Sequence, residues 1–431
     1  MTDSGILAHV QNVSRETFWL ANRCLPVSHA HVRLRHRRGG CGRCPCLTIH
    51  SSLFTIHCYN APMTPTLQDA QRIVIKIGSS LIAQAATLRA SWLEAMAADI
   101  AALHAAGKEV ILVSSGAVAL GRPHVGLGVE ALSLEEKQAA AAAGQPLLIQ
   151  AWQRAFDAHG IKVAQLLLTL EDSERRRRYL NARATFTTLL SHRLIPIVNE
   201  NDTVATAELK FGDNDRLAAR VAVMVEADVL VLFSDVEGLY TKDPRAHADA
   251  EHIPIVTTLT PEIMAMGGSA ASALSHGGMK TKLDAAQMAL AGGCHMVIAQ
   301  GQASHALQAL AEGGRATWFV AGTKPHLARK LWIASAVQVA GYVTIDDGAV
   351  RALGDGKSLL PAGVRAIEGN FERGDTIGIK AADGRVIAKG ISGYHAAEAA
   401  KILGKKSDAI EEILGYAARA ALIHRDDLAM L

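Results

Sequence analysis

The chain has 431 residues, 49% of them apolar and 4% aromatic, with a net charge of +3. That length fits two or three domains of roughly 100–200 residues, and no uninterrupted apolar stretch reaches the roughly 18 residues of a membrane span. Ala, Val, Leu and Ile carry the apolar load, which argues against an all-β sandwich and for helices alternating with parallel strands.

Residues 1–62 stand apart from the rest. They hold five of the six cysteines, seven arginines, no lysine and only two acids, Asp3 and Glu16. This segment therefore carries +5 and residues 63–431 carry −2. Cys41, Cys44 and Cys46 with His50 and His57 have zinc-ligand chemistry, but no second ligand pair stands at a recognised spacing. An Arg-rich, acid-poor leader is also similar to a transit peptide. The expectation is a third reading: residues 1–66 are a disordered or spuriously translated leader, with a natural start at Met63. Beyond it only Cys294 remains, so no disulfide framework is expected and a reducing cytoplasm fits.

From residue 72 the pattern alternates. Arg72 to Ile77 (RIVIKI) reads as a buried strand ending at Gly78-Ser79-Ser80. Lys76 inside it is costly unless its ammonium meets an anion, and the Gly-Ser turn offers N–H groups and hydroxyls to a phosphate. The plain alternative is a lysine snorkelling at a strand end. Residues 88–106 read as a helix. Val110 to Val113 is a second strand, followed by Ser114-Ser115-Gly116 and by helices that include the run Gln138 to Ala143. Arg175 to Arg178 reads as a solvated, charged helix face. Further strands are expected at Val163–Leu168, Ile195–Val198 and Val229–Phe233. Short apolar runs bounded by Gly, Ser, Asn or Asp and separated by helices mark a mostly parallel sheet. In such sheets ligands bind at the carboxyl ends of strands.

The residues after those strands carry the chemistry. Ile195–Val198 runs into Asn199, Glu200, Asn201 and Asp202, and then Asp213, Asn214 and Asp215. Such a polar cluster behind a buried strand suits a small molecule that is met by amides and carboxylates. Val229–Phe233 runs into Ser234-Asp235, with Glu237 to Arg245 beyond, either a nucleotide edge or an ordinary loop. Ser275-His276-Gly277-Gly278-Met279-Lys280-Thr281-Lys282 opens a helical run from Leu283. Two glycines, a helix entry and lysines make an anion site, though not a Walker A loop. His424 to Leu428 mimics a protein-kinase catalytic loop, but the required Asn is replaced by Leu431, and it is set aside.

A second region begins near Ala340. Tyr342–Ile345, Asp375–Ile379 and Arg385–Ala388 read as short strands with Gly and Asp turns, a small β-rich domain over 340–431. Residues 324–339 read as the linker.

In order and spacing these stretches resemble the glutamate 5-kinases of the amino acid kinase superfamily. The likeness is carried by Ile75 to Ser80, Val113 to Val118, Val198 to Asp202, Phe211 to Asp215, Ser234 to Tyr240 with Asp243 to Arg245, and Gly277 to Lys282. Ile345 to Ala349, Ser358 to Gly363, Gly369 to Asp375 and Ile413 to Tyr416 resemble that family's PUA domain. The resemblance covers almost everything after Met63 and nothing before it. It implies a three-layer αβα sandwich over 67–323 with a mostly parallel sheet, and a PUA-like domain over 340–431. It implies ATP-dependent phosphorylation of the side-chain carboxylate of L-glutamate, the first step towards proline. Carried over, Lys76 and Lys282 would neutralise the transferring phosphoryl group and Asp215 would orient them. Ser115, Asp202 and Asn214 would bind glutamate, with Asp213 nearby. Lys76, Gly78, Ser234, Asp235, His276, Gly277, Gly278, Met279, Lys280, Thr281 and Lys282 would contact ATP. Mg²⁺ is expected on the phosphates, with no protein ligand assigned. The family also implies feedback inhibition by proline and a homo-oligomer, a tetramer.

Two other readings compete. One is a kinase for another acid, such as aspartate or N-acetylglutamate, against which the PUA-like tail argues. The other is RNA binding through that tail. Residues 340–431 carry 12 Lys and Arg against 13 Asp and Glu, so no broad basic footprint supports it.

Overall fold

The protein is described here by a computed structural model, which covers residues 64–431 apart from 85–86, 129, 205–213, 269–277, 337 and 417–418. The expectations about the leader therefore lie outside the described residues. So do those for Asp213, His276 and Gly277.

Apolar runs at the predicted places form the larger sheet. Its strands are β1 (Arg72–Ile77), β2 (Glu109–Ser114), β3 (Val163–Leu168), β4 (Ile195–Glu200), β5 (Val229–Ser234), β6 (Ile255–Val256), β7 (His295–Gln300) and β8 (Ala316–Phe319). They lie in the order β6-β8-β7-β5-β1-β2-β4-β3. Six of them, β3, β4, β2, β1, β5 and β7, run parallel, while β8 pairs antiparallel with β7 and parallel with β6. β1 lies between β2 and β5, with Arg72 opposite Glu109 on one side and Ile73 opposite Val229 on the other. The chain fills one side of β1 before it crosses to the other. The carboxyl end of β1 is thus the point where the strand order reverses, the usual place for a ligand in such a sheet.

Helices cover both faces. α1 (Ala90–Ala105), α2 (Ala117–His124) and α3 (Leu134–Asp157) lie on one; α4 (Arg176–Ser191), α5 (Asn214–Met224) and α6 (Met279–Ala291) lie on the other. The strand period of two divides the core between them. Ile73, Ile75 and Ile77 join Trp92, Leu148 and Trp152. Val74, Ile111 and Val113 join Phe186, Leu217 and Leu283. These are the three αβα layers that the sequence implied. Ser133 starts α3 as one half of a capping box with Glu136, which satisfies two orphan N–H groups. α2 and α3 approach backbone to backbone at Gly121 and Gly144, where any side chain would collide with main-chain atoms of the facing helix.

The second domain has a five-stranded sheet of its own. β9 (Gly341–Ile345), β10 (Val364–Gly369), β11 (Thr376–Lys380), β12 (Val386–Ile391) and β13 (Leu428–Met430) lie in the order β10-β9-β11-β12-β13. Its core holds Val343, Ile345, Phe371, Ile377 and Tyr394. The span between the domains contains a helix, α7 being Ala306–Ala311 and α8 Pro325–Ala334. α8 packs on β12 and β13 and buries Ile333 beside Leu180, Ile391 and Ala429.

One prediction about this junction needs correcting. The charged run at Arg175–Arg178 is not simply a solvated face. Arg176 Nη2 donates to Thr376 Oγ1 at 2.8 Å, and its guanidinium lies 5.1 Å from the centre of the Trp332 ring. The set-aside His424–Leu428 stretch supplies Asp427, which takes ion pairs from Arg183 at 2.8 Å and Arg329 at 2.6 Å.

Candidate active site

A cleft of about 1550 Å³ opens at the carboxyl ends of β1, β2, β4 and β5. Its phosphate-like end is built around Asp215, the second residue of α5, which has no solvent exposure. Lys76 Nζ, from β1, lies 2.5 Å from Asp215 Oδ1, and Lys282 Nζ, from the first turn of α6, lies 3.1 Å from Oδ2. Thr281 Oγ1 also donates to Oδ2, at 3.2 Å. Burial alone would push the Asp215 carboxyl up, but the charges and hydrogen bonds of the two lysines hold it below the usual carboxylate range. Two ammonium groups thus converge on one buried carboxylate. Lys76 and Lys282 both line the cleft.

The turn at Gly78 and Ser79 and the helix starts at Ala117 and Met279 border the same space. Each helix start leaves backbone N–H groups without intrahelical partners, and these favour anions. Gly116, at φ +118, turns the chain from β2 into α2 in a conformation only glycine adopts readily. Ser234 and Asp235 follow β5 on the other flank, the serine hydroxyl donating to Asp235 Oδ1 at 3.0 Å.

The same cleft is also lined by amides and carboxylates. Ser115, Asn199, Glu200, Asp202 and Asn214 all border it. Asn214 Nδ2 donates to Ser115 Oγ at 2.6 Å and to Asn199 Oδ1 at 3.0 Å. Asn199 and Glu200 are successive residues of β4, so their side chains leave opposite faces of the sheet; both are buried.

The structure thus brings Lys76, Gly78, Ser115, Asp202, Asn214, Ser234, Asp235, Gly278, Met279 and Lys282 to one cleft. Asp215 and Thr281 stand behind it through Lys282. Lys280 stands apart: its side chain is exposed and lies 3.7 Å from Asp284 on the outer face of α6. Asn199 and Glu200 were visible in the polar cluster but received no role, since sequence order does not tell which members of such a cluster turn inward. Lys137 and Gln302 also line the cleft, and nothing in their local sequence marks them. Among the described residues no group of three or more His, Cys, Asp or Glu is placed to hold a metal ion. No described helix is long and apolar enough to cross a membrane.

A parallel α/β sheet with paired lysines and helix starts at its switch point is the frame of an enzyme that handles phosphorylated ligands. Residues 71–300 match the model of the amino acid kinase family, and the chain belongs to that family. Residues 341–414 match the PUA domain. The chain is 56% identical over 367 residues to the glutamate 5-kinase of Brucella ovis, covering 85% of this chain and 97% of that one. The glutamate 5-kinase of Brucella melitensis biotype 2 gives the same figures. Among solved structures it is similar to carbamate kinase from Giardia lamblia bound to AMP-PNP, with a TM-score of 0.43 and 18% identity, covering 59% of this chain and 100% of that one.

Proposed function

We propose that this protein phosphorylates the side-chain carboxylate of L-glutamate with ATP, giving L-glutamyl 5-phosphate, the first step of proline biosynthesis. The observation that carries the reading is the Lys76–Asp215–Lys282 group, two fixed ammonium groups lining a cleft that amides and carboxylates also line.

The chemistry follows from the charges. The glutamate side chain is already ionised at neutral pH, so no general base is needed. One of its oxygens forms a bond to the γ-phosphorus of ATP, and the bond from that phosphorus to the β–γ bridging oxygen breaks. ADP leaves with the electron pair. The barrier is the approach of two anions, and fixed cations lower it. In this reading Lys76 and Lys282 face the γ-phosphoryl group, and Asp215 holds both ammonium groups in place. Ser234, Asp235 and the Gly278–Lys282 helix start take the nucleotide, and the same role is proposed for His276 and Gly277. Ser115, Asp202, Asn214 and Asp213 take the amino acid.

Magnesium bound with ATP would neutralise charge on its phosphates. The residues fit an ion carried in by the nucleotide: Asp215 is committed to lysines, and Mg²⁺ readily keeps waters and leans on phosphate. Family likeness further supports a cytoplasmic homo-tetramer inhibited by proline at or near the glutamate end. The domain limits of 67–323 and 340–431, with a connecting span of 324–339, belong to the same reading.

The test is to trap the acyl phosphate. The full chain is incubated with ATP, Mg²⁺, hydroxylamine and one acid at a time, and hydroxamate is read. Strong signal with L-glutamate and weak signal with aspartate or N-acetylglutamate is expected. A stronger ATP-dependent signal with another acid would keep the phosphate end and void the roles given to Asp202 and Asn214. Folded protein that is silent with every acid would sink the kinase reading and turn attention to RNA binding by the tail.

A further inference from the structure

Behind the amino-acid end of the cleft lies a ladder of side-chain amides. Gln145 sits inside the Ala-rich stretch of α3, is only 8% exposed and does not line the cleft. Its Oε1 accepts from Asn199 Nδ2 at 2.9 Å. Asn199 Oδ1 in turn accepts from Asn214 Nδ2, which also donates to Ser115 Oγ. An amide nitrogen can only donate and an amide oxygen can only accept. The ladder therefore has a direction, from Asn214 through Asn199 to the oxygen of Gln145.

That direction decides what the cleft offers. Both hydrogens of Asn214 Nδ2 are spent inside the ladder. Asn214 Oδ1 has no partner among the described residues, and it remains as an acceptor in the cleft. Ser115 Oγ accepts from Asn214, so its own O–H remains as a donor. With the ladder reversed, Asn214 would show the cleft N–H groups instead. Gln145 Nε2 is buried without a hydrogen-bond partner. A buried donor left unpaired is destabilising, so residue 145 is not an amide for the sake of the helix.

We propose that Gln145 is a positioning residue for substrate choice. By fixing Asn199, it holds Asn214 with its oxygen toward the ammonium of a bound α-amino acid, in the cleft that Asp202 and Glu200 also line. This rests on the reading of the cleft as a glutamate site.

The experiment compares the parent chain with Gln145→Met, which keeps the side-chain length and removes the acceptor. L-glutamate is the substrate. Glutarate, which has both carboxylates and no ammonium, is the competitor. The expected result is a rise of about tenfold in the glutamate KM, the worth of about 1.4 kcal/mol. The Ki of glutarate, the KM of ATP and kcat should each move less than about twofold on the same scale. Gln145→Glu keeps an acceptor oxygen and should retain most of the parent's preference for glutamate over glutarate. A Gln145→Met chain that weakens glutamate and glutarate equally, loses kcat alone, or leaves the glutamate KM unchanged overturns the proposal. If that chain does not fold, loss of the preference in Gln145→Glu overturns it instead. A parent chain inactive with glutamate removes the functional reading and this proposal with it. An active parent whose preference ignores residue 145 removes this proposal only.

Discussion

Two buried carboxylates in this molecule each hold two cations, and they do so for different ends. Asp215 lies between Lys76 and Lys282 at the cleft. Asp427 lies between Arg183 and Arg329 where the second domain meets α4 and α8. At the junction Glu226 joins the group, 2.5 Å from Arg183 and 3.3 Å from Arg329, so two acids balance two bases. At the cleft Lys76 and Lys282 both pair with Asp215 and both border the open space. Side-chain type follows use. The planar fork of arginine can serve several acceptors at once, while the ammonium of lysine is a compact point charge. The junction cluster binds parts of the protein together; the cleft cluster presents two cations where a ligand can reach them.

The largest expected effect is at the cleft cluster. Lys282→Ala should lower kcat by roughly 10²–10³-fold, the usual loss for one fixed transition-state charge. The glutamate KM should change far less, because the role proposed for the lysine is at the phosphoryl group rather than at the amino acid. Asp215→Asn should lower kcat as well, by releasing both ammonium groups from their positions. Steady-state kinetics with each substrate varied checks both. Unchanged kcat in Lys282→Ala would end the assignment.

The balanced cluster should answer in stability instead. Asp427→Ala strands two arginines, both largely buried, beside a single Glu226. Breaking a buried ion pair from one side costs about 3–5 kcal/mol, read as a lower denaturant midpoint. The kcat of the folded fraction should hold. A variant with full stability and poor catalysis would reverse the roles assigned to the two clusters.

Acid should strain both clusters together. Burial would raise each carboxyl, but the neighbouring lysines or arginines bring each below its ordinary value. The folded forms then hold protons less tightly than the unfolded chain does. Their stabilisation is complete above the unfolded pKa, roughly 4, and is lost as pH falls towards the folded values. Unfolding measured from pH 7 downward should show a flat region followed by a steep loss below about pH 4. In Asp427→Ala the loss should be shallower, since one of the two carboxyls no longer takes up a proton.

Much of this was legible in the sequence. The strands Arg72–Ile77 and Val163–Leu168 stand at the residues their apolar runs marked. The three layers follow from alternation of short runs and helices. β7 and β8 were not among the expected strands, and β8 turns antiparallel, which no local signal announces. Gln145 looks like any polar residue in an alanine-rich helix, and its bond to Asn199 spans 54 positions. Arg176 and Asp427 were read as solvated or as a chance likeness, because charge in a short window does not disclose a partner 200 residues away. Local pattern gives the elements; long-range pairing of polar side chains has no local trace.

Arg176 gives the smallest effect and the finest division between the two clusters. It neighbours the balanced group: burial lowers its pKa, as does the Arg329 charge, while Asp375 and Asp427 oppose the shift. It makes one hydrogen bond to Thr376 and covers Trp332. Arg176→Ala should therefore cost about 1–2 kcal/mol, the sum of one hydrogen bond and one partly exposed cation–π contact. Arg176→Lys should recover part of that, since an ammonium lacks the planar fork that serves both contacts. Denaturant midpoints of the two variants check the order, and neither should change the glutamate KM. If Arg176→Ala raised that KM with little loss of stability, the junction would be coupled to the cleft. α4 leads directly into β4 and its Asn199, so that coupling would have a short covalent route.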